Sequence, residues 1–244
     1  MNLIIDVGNT FVKLAVFKNN LLIKKINTSK EKFFEDFERI SMEYKNIINV
    51  IISSVGFFSE EAISKIKDKY PAIILSHKTH LPFINKYKTP LTLGSDRIAL
   101  VSAAAIKYPS KNVLIIDVGS CITFDFKNSK NEYLGGSITP GIEFRYRSLN
   151  DYTNKLPLLK PQKTLNHMGV TTATSIHVGV IKGVIFEIDA FIDAYREKYQ
   201  ELTVILTGGG AQYLVESLKN DIFAHSNFLL EGLNYLVQNN KNQC

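Results

Sequence analysis

The chain has 244 residues, of which 45% are hydrophobic and 21% charged, with a formal net charge of +6. This composition is typical of a globular protein of one large or two ordinary domains, and it excludes a disordered chain. The lysines are dispersed, without the basic and aromatic blocks of nucleic-acid-binding proteins, so the charge favours at most an anionic small substrate. We expect a cytoplasmic protein that contacts no membrane, because we find no signal peptide, no apolar stretch of roughly 18 residues and only two cysteines, Cys121 and Cys244.

The first half of the chain predicts elements in the order βββαβα, which indicates a mixed sheet flanked by helices. Residues 1–26 read as two or three strands. Thr28 and Glu31 have the form of a capping box, which predicts the start of a helix. Ser59 predicts the start of a second helix, and an alanine-rich helix is expected over residues 94–106. Further strands are predicted at 50–54 and 73–76.

The second half predicts a similar series of elements after a boundary near residues 107–112. Strands are predicted at 113–118, 121–126, 132–138 and 204–207, and helices at 142–151, from 172 to 199 with interruptions at Gly179 and Gly183, and from Gly210 to Leu218. We therefore divide the chain into two halves, residues 1–110 and 111–244.

A six-residue string occurs twice, in Leu3–Gly8 and again in Leu114–Gly119. Each copy is an apolar run that ends in Asp-x-Gly and leads through a small residue into an alternating segment. An apolar run bounded by turn signals is typical of a buried strand. The repeat predicts two similar halves whose Asp and Gly residues point into one shared cleft, with chance recurrence of aliphatic residues as the alternative.

The two Asp-x-Gly turns offer groups that can bind phosphate. Glycine N–H groups and the Thr10 hydroxyl can donate to phosphate oxygens, and Asp6 at a strand end can hold a neutralising cation. Asp117 and Ser120 offer the same groups in the second copy. The glycines at 208–210 permit a ring or a phosphate to approach closely, although a tight strand-to-helix connection would also explain them. Together these features favour binding of an adenosine nucleotide.

Several other residues have both a chemical and a structural explanation. Asp96 could accept a proton from an attacking hydroxyl, but taken alone it is better explained as a first-turn residue that favours the helix dipole. The segment 135–141 either shapes a pocket wall or caps the second hairpin. His77 and His80 have metal-ligand spacing but no further ligands nearby, so a metal site there is disfavoured. Cys121 is expected to be a small buried residue.

In combination, these motifs resemble the two phosphate motifs and the adenosine motif of the actin/hexokinase/acetate-kinase superfamily. Within it, the chain closely resembles type III pantothenate kinases, because residues 6–10, 94–97 and 135–141 match that family in order and spacing. The resemblance covers nearly the whole chain. It implies an α/β fold of two duplicated ribonuclease-H-like, actin-like ATPase domains, each a mixed five-stranded sheet flanked by helices, with an interdomain cleft.

The same resemblance implies ATP-dependent phosphorylation of pantothenate to 4′-phosphopantothenate, the first step of coenzyme A biosynthesis, by a cytoplasmic homodimer. It implies that Asp96 is the general base, that Asp6 lies near the ATP-bound Mg²⁺, and that Asp117 binds a monovalent cation, K⁺ or NH₄⁺. The ATP-binding residues that it implies are Asp6, Val7, Gly8, Asn9, Thr10, Phe11, Val12, Lys13, Ser120, Gly208 and Gly209. The substrate-binding residues that it implies are Tyr87, Gly94, Ser95, Asp96, Arg97 and Thr172. The first half would carry the first phosphate loop and the base, and the second half would carry the second phosphate loop, the adenosine motif and the dimer contacts.

Three departures from the family pattern bear on these expectations. Ser120 replaces a threonine, Cys121-Ile122 replaces Ala-Thr, and Ser95 replaces an alanine beside the expected base. Of the properties that the resemblance implies, the affinity for ATP is therefore the one that these replacements would affect most. The alternatives are another small-molecule kinase of the same fold, such as a sugar kinase, a non-catalytic regulator, and an actin-like filament protein.

Overall fold

Two compact units make up the chain, which the computed structural model describes over residues 1–55, 58–164 and 166–240. One unit comprises Met1–Lys107 together with the residues from Asn227 onward, and the other comprises Tyr108–Ser226. The change of unit after Lys107 falls at the expected boundary. The residues from Asn227 onward, which we had assigned to the second half, instead pack in the first unit. Cys244 lies outside the described residues.

The elements follow in chain order, apart from short 3₁₀ helices. The first unit begins with β1 (Asn2–Val7), β2 (Val12–Lys18), β3 (Leu21–Thr28), α1 (Phe33–Glu43), β4 (Asn49–Ser54), α2 (Glu60–Lys69), β5 (Ala72–Ile74), β6 (Ile84–Asn85) and α3 (Ser95–Lys107). The second unit contains β7 (Asn112–Val118), β8 (Cys121–Lys127), β9 (Glu132–Pro140), α4 (Ile142–Asp151), α5 (Thr172–Lys198), β10 (Leu202–Thr207) and β11 (Phe223–Ala224). The last helix is α6 (Phe228–Asn239), which completes the first unit.

The two units repeat one sheet topology. In the first unit the strands lie in the order β3-β2-β1-β4-β5, with β1 antiparallel to β2 and parallel to β4. In the second unit β9-β8-β7-β10-β11 lie in the same order, with β7 antiparallel to β8 and parallel to β10. The two copies of the six-residue string are the central strands β1 and β7. The predicted duplication is therefore confirmed in the backbone.

Helix α1 covers one face of the first sheet with aromatic and aliphatic side chains. Phe33, Phe37 and Ile40 recur at helical spacing and are buried. The capping box predicted at Thr28 is wrong, because Thr28 is the last residue of β3 and pairs with Val12, and the helix begins only after Lys32. Strand pairing therefore extends past the residue that the local pattern marks as a helix cap.

Helix α6 joins the first unit through polar and close backbone contacts. The Asn2 side chain donates to Asn234 Oδ1 at 2.8 Å, and Asn234 donates to the Asn19 carbonyl at 2.8 Å, both across more than two hundred residues of sequence. Gly232 lies against α3, where a Cβ atom would meet the Ala99 backbone carbon at 2.8 Å. These contacts explain why the C-terminal helix belongs to the first unit.

Three local predictions fail in the second unit. Helix α5 runs without a break for 27 residues through Gly179 and Gly183, because its buried aliphatic face is continuous on both sides of them. The segment after β10 forms 3₁₀ helices at Gly209–Tyr213 and Val215–Ser217 rather than an α-helix. Cys121 is exposed, since it is the first residue of β8 at the hairpin turn. Within the described part of the chain, no helix has the length and apolarity required to cross a membrane.

Candidate active site

The first Asp-x-Gly motif is the turn of the β1–β2 hairpin. Val7 pairs with Val12, so the turn comprises residues 8–11, and the Gly8 N–H donates to the Phe11 carbonyl at 3.0 Å. Asn9, Thr10 and Phe11 are exposed at its tip. The side chains of Val7 and Val12 are buried in the core, so those two residues can offer only backbone groups to a ligand. An exposed turn of this kind can bring N–H groups to phosphate oxygens.

Asp6 and Lys13 form an ion pair directly below this turn. They are opposite each other in the β1–β2 register, and Lys13 Nζ lies 3.0 Å from Asp6 Oδ2. The Asp6 side chain is 5% exposed and the Lys13 side chain 41% exposed. A carboxylate buried at a strand end keeps its charge most easily with a cation beside it. Lys13 supplies that cation and also reaches the surface where a phosphate would lie.

The predicted substrate residues of the first unit come together at the start of α3. The buried Arg97 guanidinium lies over the Tyr87 ring, 5.4 Å from its centroid, within the range of a cation–π contact. The Arg97 N–H donates to Asp96 Oδ1 at 2.8 Å, so the carboxylate lies over the first turn of its own helix. A Cβ atom at Gly94 would collide with that carboxylate oxygen. Tyr87, Gly94, Asp96 and Arg97 therefore form one cluster at the start of α3.

Strand β4 links this cluster to Asp6, through a residue that sequence reasoning missed. Ser53 is the parallel-strand partner of Asp6, and its hydroxyl donates to Ser95 Oγ at 3.0 Å. The corresponding residue of the second unit is Thr207, the partner of Asp117. Ser53 can be found by aligning β4 with β10, the parallel partners of the two Asp-x-Gly strands, because this alignment gives Ser53 the position of Thr207.

The second Asp-x-Gly motif is the turn of the β7–β8 hairpin. Val118 pairs with Ile122, so this turn comprises residues 119–121 and is shorter than the first, and the Gly119 N–H donates to the Cys121 carbonyl at 3.0 Å. Asp117 and Ser120 are partly exposed. The Ser120 hydroxyl therefore lies within the turn, and the Asp117 carboxylate lies in β7 two residues before it.

Gly208 brings the adenosine motif against this hairpin. Its φ of 90° and ψ of 160° lie in a region that is essentially restricted to glycine. A Cβ atom there would meet the Val118 carbonyl oxygen at 2.5 Å and would also collide with the Asp117 carboxylate. Gly209, in contrast, faces open space. The glycine at 208 is thus required by its conformation and by its neighbours.

The glycine-rich segment 135–141 also packs on the second hairpin. Residues 135–140 belong to β9, and the Gly141 N–H donates to the Ser120 carbonyl at 3.1 Å. Arg145 Nε donates to the Pro140 carbonyl at 2.9 Å, and Arg145 Nη2 forms an ion pair with Glu187 at 2.6 Å. The sequence left two explanations for this segment, the wall of a pocket or a cap on the hairpin. These contacts favour the cap.

Thr172 is not grouped with the other predicted substrate residues. It is the exposed first residue of α5 in the second unit, whereas Tyr87, Gly94, Asp96 and Arg97 belong to the first unit. The helix cap is the preceding residue, Thr171, whose hydroxyl accepts from the Thr174 N–H at 3.2 Å. Thr172 therefore has no capping role that would explain its hydroxyl.

Among the described residues, no group of three or more His, Cys, Asp and Glu side chains is placed to hold a metal ion. A divalent ion at Asp6 would thus take most of its ligands from phosphate and water, which is common for Mg²⁺. The Asp117 carboxylate lies close to the Gly208 backbone, where a side chain would collide with it. The cations that the family resemblance implied at Asp6 and Asp117 stay predictions.

Comparison with known proteins agrees with this geometry. The model of the type III pantothenate kinase family matches residues 2–194. A type III pantothenate kinase from Christiangramia forsetii is 48% identical over 243 residues, with all of both chains covered. A solved structure from Campylobacter jejuni, titled a conserved putative Baf family transcriptional activator, covers 98% of this chain and 99% of its own at 22% identity, with a TM-score of 0.66. A putative 2-dehydro-3-deoxygalactonokinase from Sinorhizobium meliloti covers 98% and 99% at 11% identity, with a TM-score of 0.61.

The two structural neighbours bear on the fold alone, and with the repeated sheet they identify two duplicated domains of the actin/hexokinase-like ATPase fold. The family match spans both Asp-x-Gly hairpins and the start of α3. The chain belongs to the type III pantothenate kinase family.

Proposed function

We propose that Asp96 is the general base with which this enzyme phosphorylates pantothenate. The activity itself, ATP-dependent phosphorylation of pantothenate in coenzyme A biosynthesis, follows from membership of the family. The single observation that carries the role of Asp96 is its position in a cluster with Arg97 and Tyr87 at the start of α3. The Ser53–Ser95 hydrogen bond joins this helix start to β4, the strand beside Asp6.

Phosphoryl transfer depends mainly on alignment and on neutralising the phosphate charge. Lys13 and the N–H groups of the first turn would bind phosphate oxygens, with Thr10 as a hydroxyl donor. Asp96 would orient the primary hydroxyl of pantothenate and take its proton. Arg97, an obligatory cation, would bind the pantothenate carboxylate. Ser120, Gly208 and Gly209 would contact ATP from the second unit.

Two cations would complete the charge balance. Asp6 would hold Mg²⁺ together with ATP, and Asp117 would hold K⁺ or NH₄⁺. When bound, these ions would neutralise the phosphate charges of ATP.

We further propose that the enzyme is a cytoplasmic homodimer to which Thr172 contributes a substrate contact. Sedimentation at twice the 27.5 kDa chain mass, and recovery in the soluble cell fraction, would test the assembly and the location.

The test is ADP release from ATP by the purified protein with Mg²⁺ and K⁺, with and without pantothenate. Asp96→Asn keeps the shape of the side chain but removes the base, so we expect kcat to fall by roughly 10²- to 10⁴-fold. Asp36→Asn is the matched control, because Asp36 is also an acidic residue in the first turn of a helix. It should change stability similarly and leave kcat unchanged.

Near-normal turnover in Asp96→Asn would reject the base assignment, and equal losses in both variants would indicate a helix-dipole role instead. Replacing K⁺ with Na⁺ in the same assay tests Asp117, since ADP release should fall if a monovalent cation of the right size is required. Release that depends on a sugar rather than on pantothenate would favour a different kinase of the same fold.

A further inference from the structure

A pair of buried hydroxyls connects the strand beside Asp6 to the helix that carries Asp96. Ser53 is 0% exposed and Ser95 is 8% exposed. Ser53 Oγ donates to Ser95 Oγ at 3.0 Å. Buried hydroxyls need such partners, because an unsatisfied polar group in the core costs free energy. The contact is therefore specific rather than incidental.

The two serines occupy informative positions. Ser53 lies in β4 at the level of Asp6 in β1, and the two strands are hydrogen-bonded in parallel register. Ser95 is the first residue of α3 and directly precedes Asp96. The Ser53–Ser95 hydrogen bond therefore joins the end of β4, in the sheet of the first unit, to the first turn of α3.

The first turn of a helix is the part that needs such an anchor. Its N–H groups have no partners within the helix, and helix ends fray when nothing holds them. The Asp96 carboxylate accepts a hydrogen bond from the Arg97 N–H within that same turn, so its direction follows the turn. A displacement of the turn would carry the carboxylate with it, and small misplacements of a reacting group lower rates strongly.

We propose that Ser53 is a positioning residue, which holds the first turn of α3 through Ser95 and thereby fixes Asp96 relative to the strand that carries Asp6. This inference rests on the proposed role of Asp96 as the general base. Ser53 itself touches neither substrate.

The test is a double-mutant cycle with Ser53→Ala, Ser95→Ala and the double variant, assayed for kcat and for the KM of ATP. Each single change should lower kcat by roughly two- to tenfold, as expected for the loss of one neutral hydrogen bond, with little change in the KM of ATP. The double variant should lose no more than a single one, because both serines act through one contact. Ser102→Ala is the matched control, since Ser102 is a fully buried serine of the same helix that donates to the Ile98 carbonyl at 2.8 Å.

Thermal unfolding of each variant separates positioning from simple stabilisation. A purely structural role predicts a lower Tm for Ser53→Ala with an unchanged kcat, and that result would overturn the inference. Losses of kcat that add up in the double variant would also overturn it. Asp96→Asn distinguishes the two proposals: if it is inactive while Ser53→Ala is normal, only this inference fails. If Asp96→Asn retains activity, both fail, since the turn would then carry no base.

Discussion

One added methyl group at Gly208 should destabilise the second unit through both its backbone conformation and its close contacts. Its backbone has φ 90° and ψ 160°, a conformation that costs residues with a Cβ atom about 1–3 kcal/mol. The new methyl of Gly208→Ala would also meet the Val118 carbonyl oxygen at 2.5 Å, and relieving an overpacked contact costs about 1–3 kcal/mol. Alanine regains about 0.4–1 kcal/mol by restricting the unfolded chain. The net loss should be about 3 kcal/mol.

Thermal denaturation measures this loss, and a steady-state assay measures its functional consequence. For a chain of this size, about 3 kcal/mol corresponds to a fall in Tm of roughly 6–12 °C. The KM for ATP should rise as well, because the methyl would displace the Asp117 carboxylate.

The neighbouring glycine provides the control for stability. Gly209 has no left-handed φ, and a Cβ atom there would meet nothing within 4 Å. Gly209→Ala should be neutral or stabilise the protein by up to about 1 kcal/mol, because nothing opposes the restriction of the unfolded chain. Equal falls in Tm for the two variants would refute the argument from backbone conformation and close contact. A stable Gly208→Ala protein with normal KM for ATP would refute the placement of the adenosine motif on the second hairpin.

Three further predictions concern stability in other parts of the chain. Gly232→Ala should destabilise the protein by about 1–2 kcal/mol in chemical denaturation, because the clash with the Ala99 backbone outweighs the roughly 1 kcal/mol by which alanine favours a helix. Gly179→Ala, in a helix with open space around it, should stabilise by about 0.5–1 kcal/mol. Burial lowers the pKa of Lys127 from 10.5 to about 8, so the unfolded chain binds the proton more tightly than the folded one, and stability should rise between pH 8 and pH 10.5.

Each of these predictions has a result that contradicts it. A Gly232→Ala protein as stable as the parent would mean that α6 does not pack closely on α3. For the buried lysine, the comparison is Lys127→Met, which has no ammonium to lose and should lack the rise in stability above pH 8. Parallel pH profiles for the parent and Lys127→Met would show that burial of the charge contributes nothing measurable.

Much of the first unit could be predicted from local pattern alone. Strand β1 is a run of buried residues, and α1 carries its aromatic residues at helical spacing, so burial and periodicity are visible in the sequence. The helix start at Ser59 was also correct, since its hydroxyl accepts from the Ala62 N–H at 3.2 Å. These features depend on residues close together in the chain.

Two of the failed predictions, at Thr28 and in α5, have one physical cause, which is competition from distant partners. The Thr28 and Glu31 pattern is a valid cap signal, but pairing with β2 keeps Thr28 in a strand. Helix α5 passes through Gly179 and Gly183 because packing of its apolar face stabilises it more than two glycines destabilise it. Cys121 looked like a core residue of a strand, yet the hairpin turn places it at the surface.

Short motifs in the sequence were sufficient to predict the duplication, the two Asp-x-Gly turns and the family, because the residue types of each motif are required by the backbone or by the chemistry. The tertiary structure alone decided that α6 joins the first unit, that Gly208 packs on the second Asp-x-Gly hairpin, and that Ser53 bonds to the residue before Asp96. Those contacts join residues that are far apart in the chain. No local pattern encodes them, since the packing that brings two surfaces together is a property of the whole folded unit.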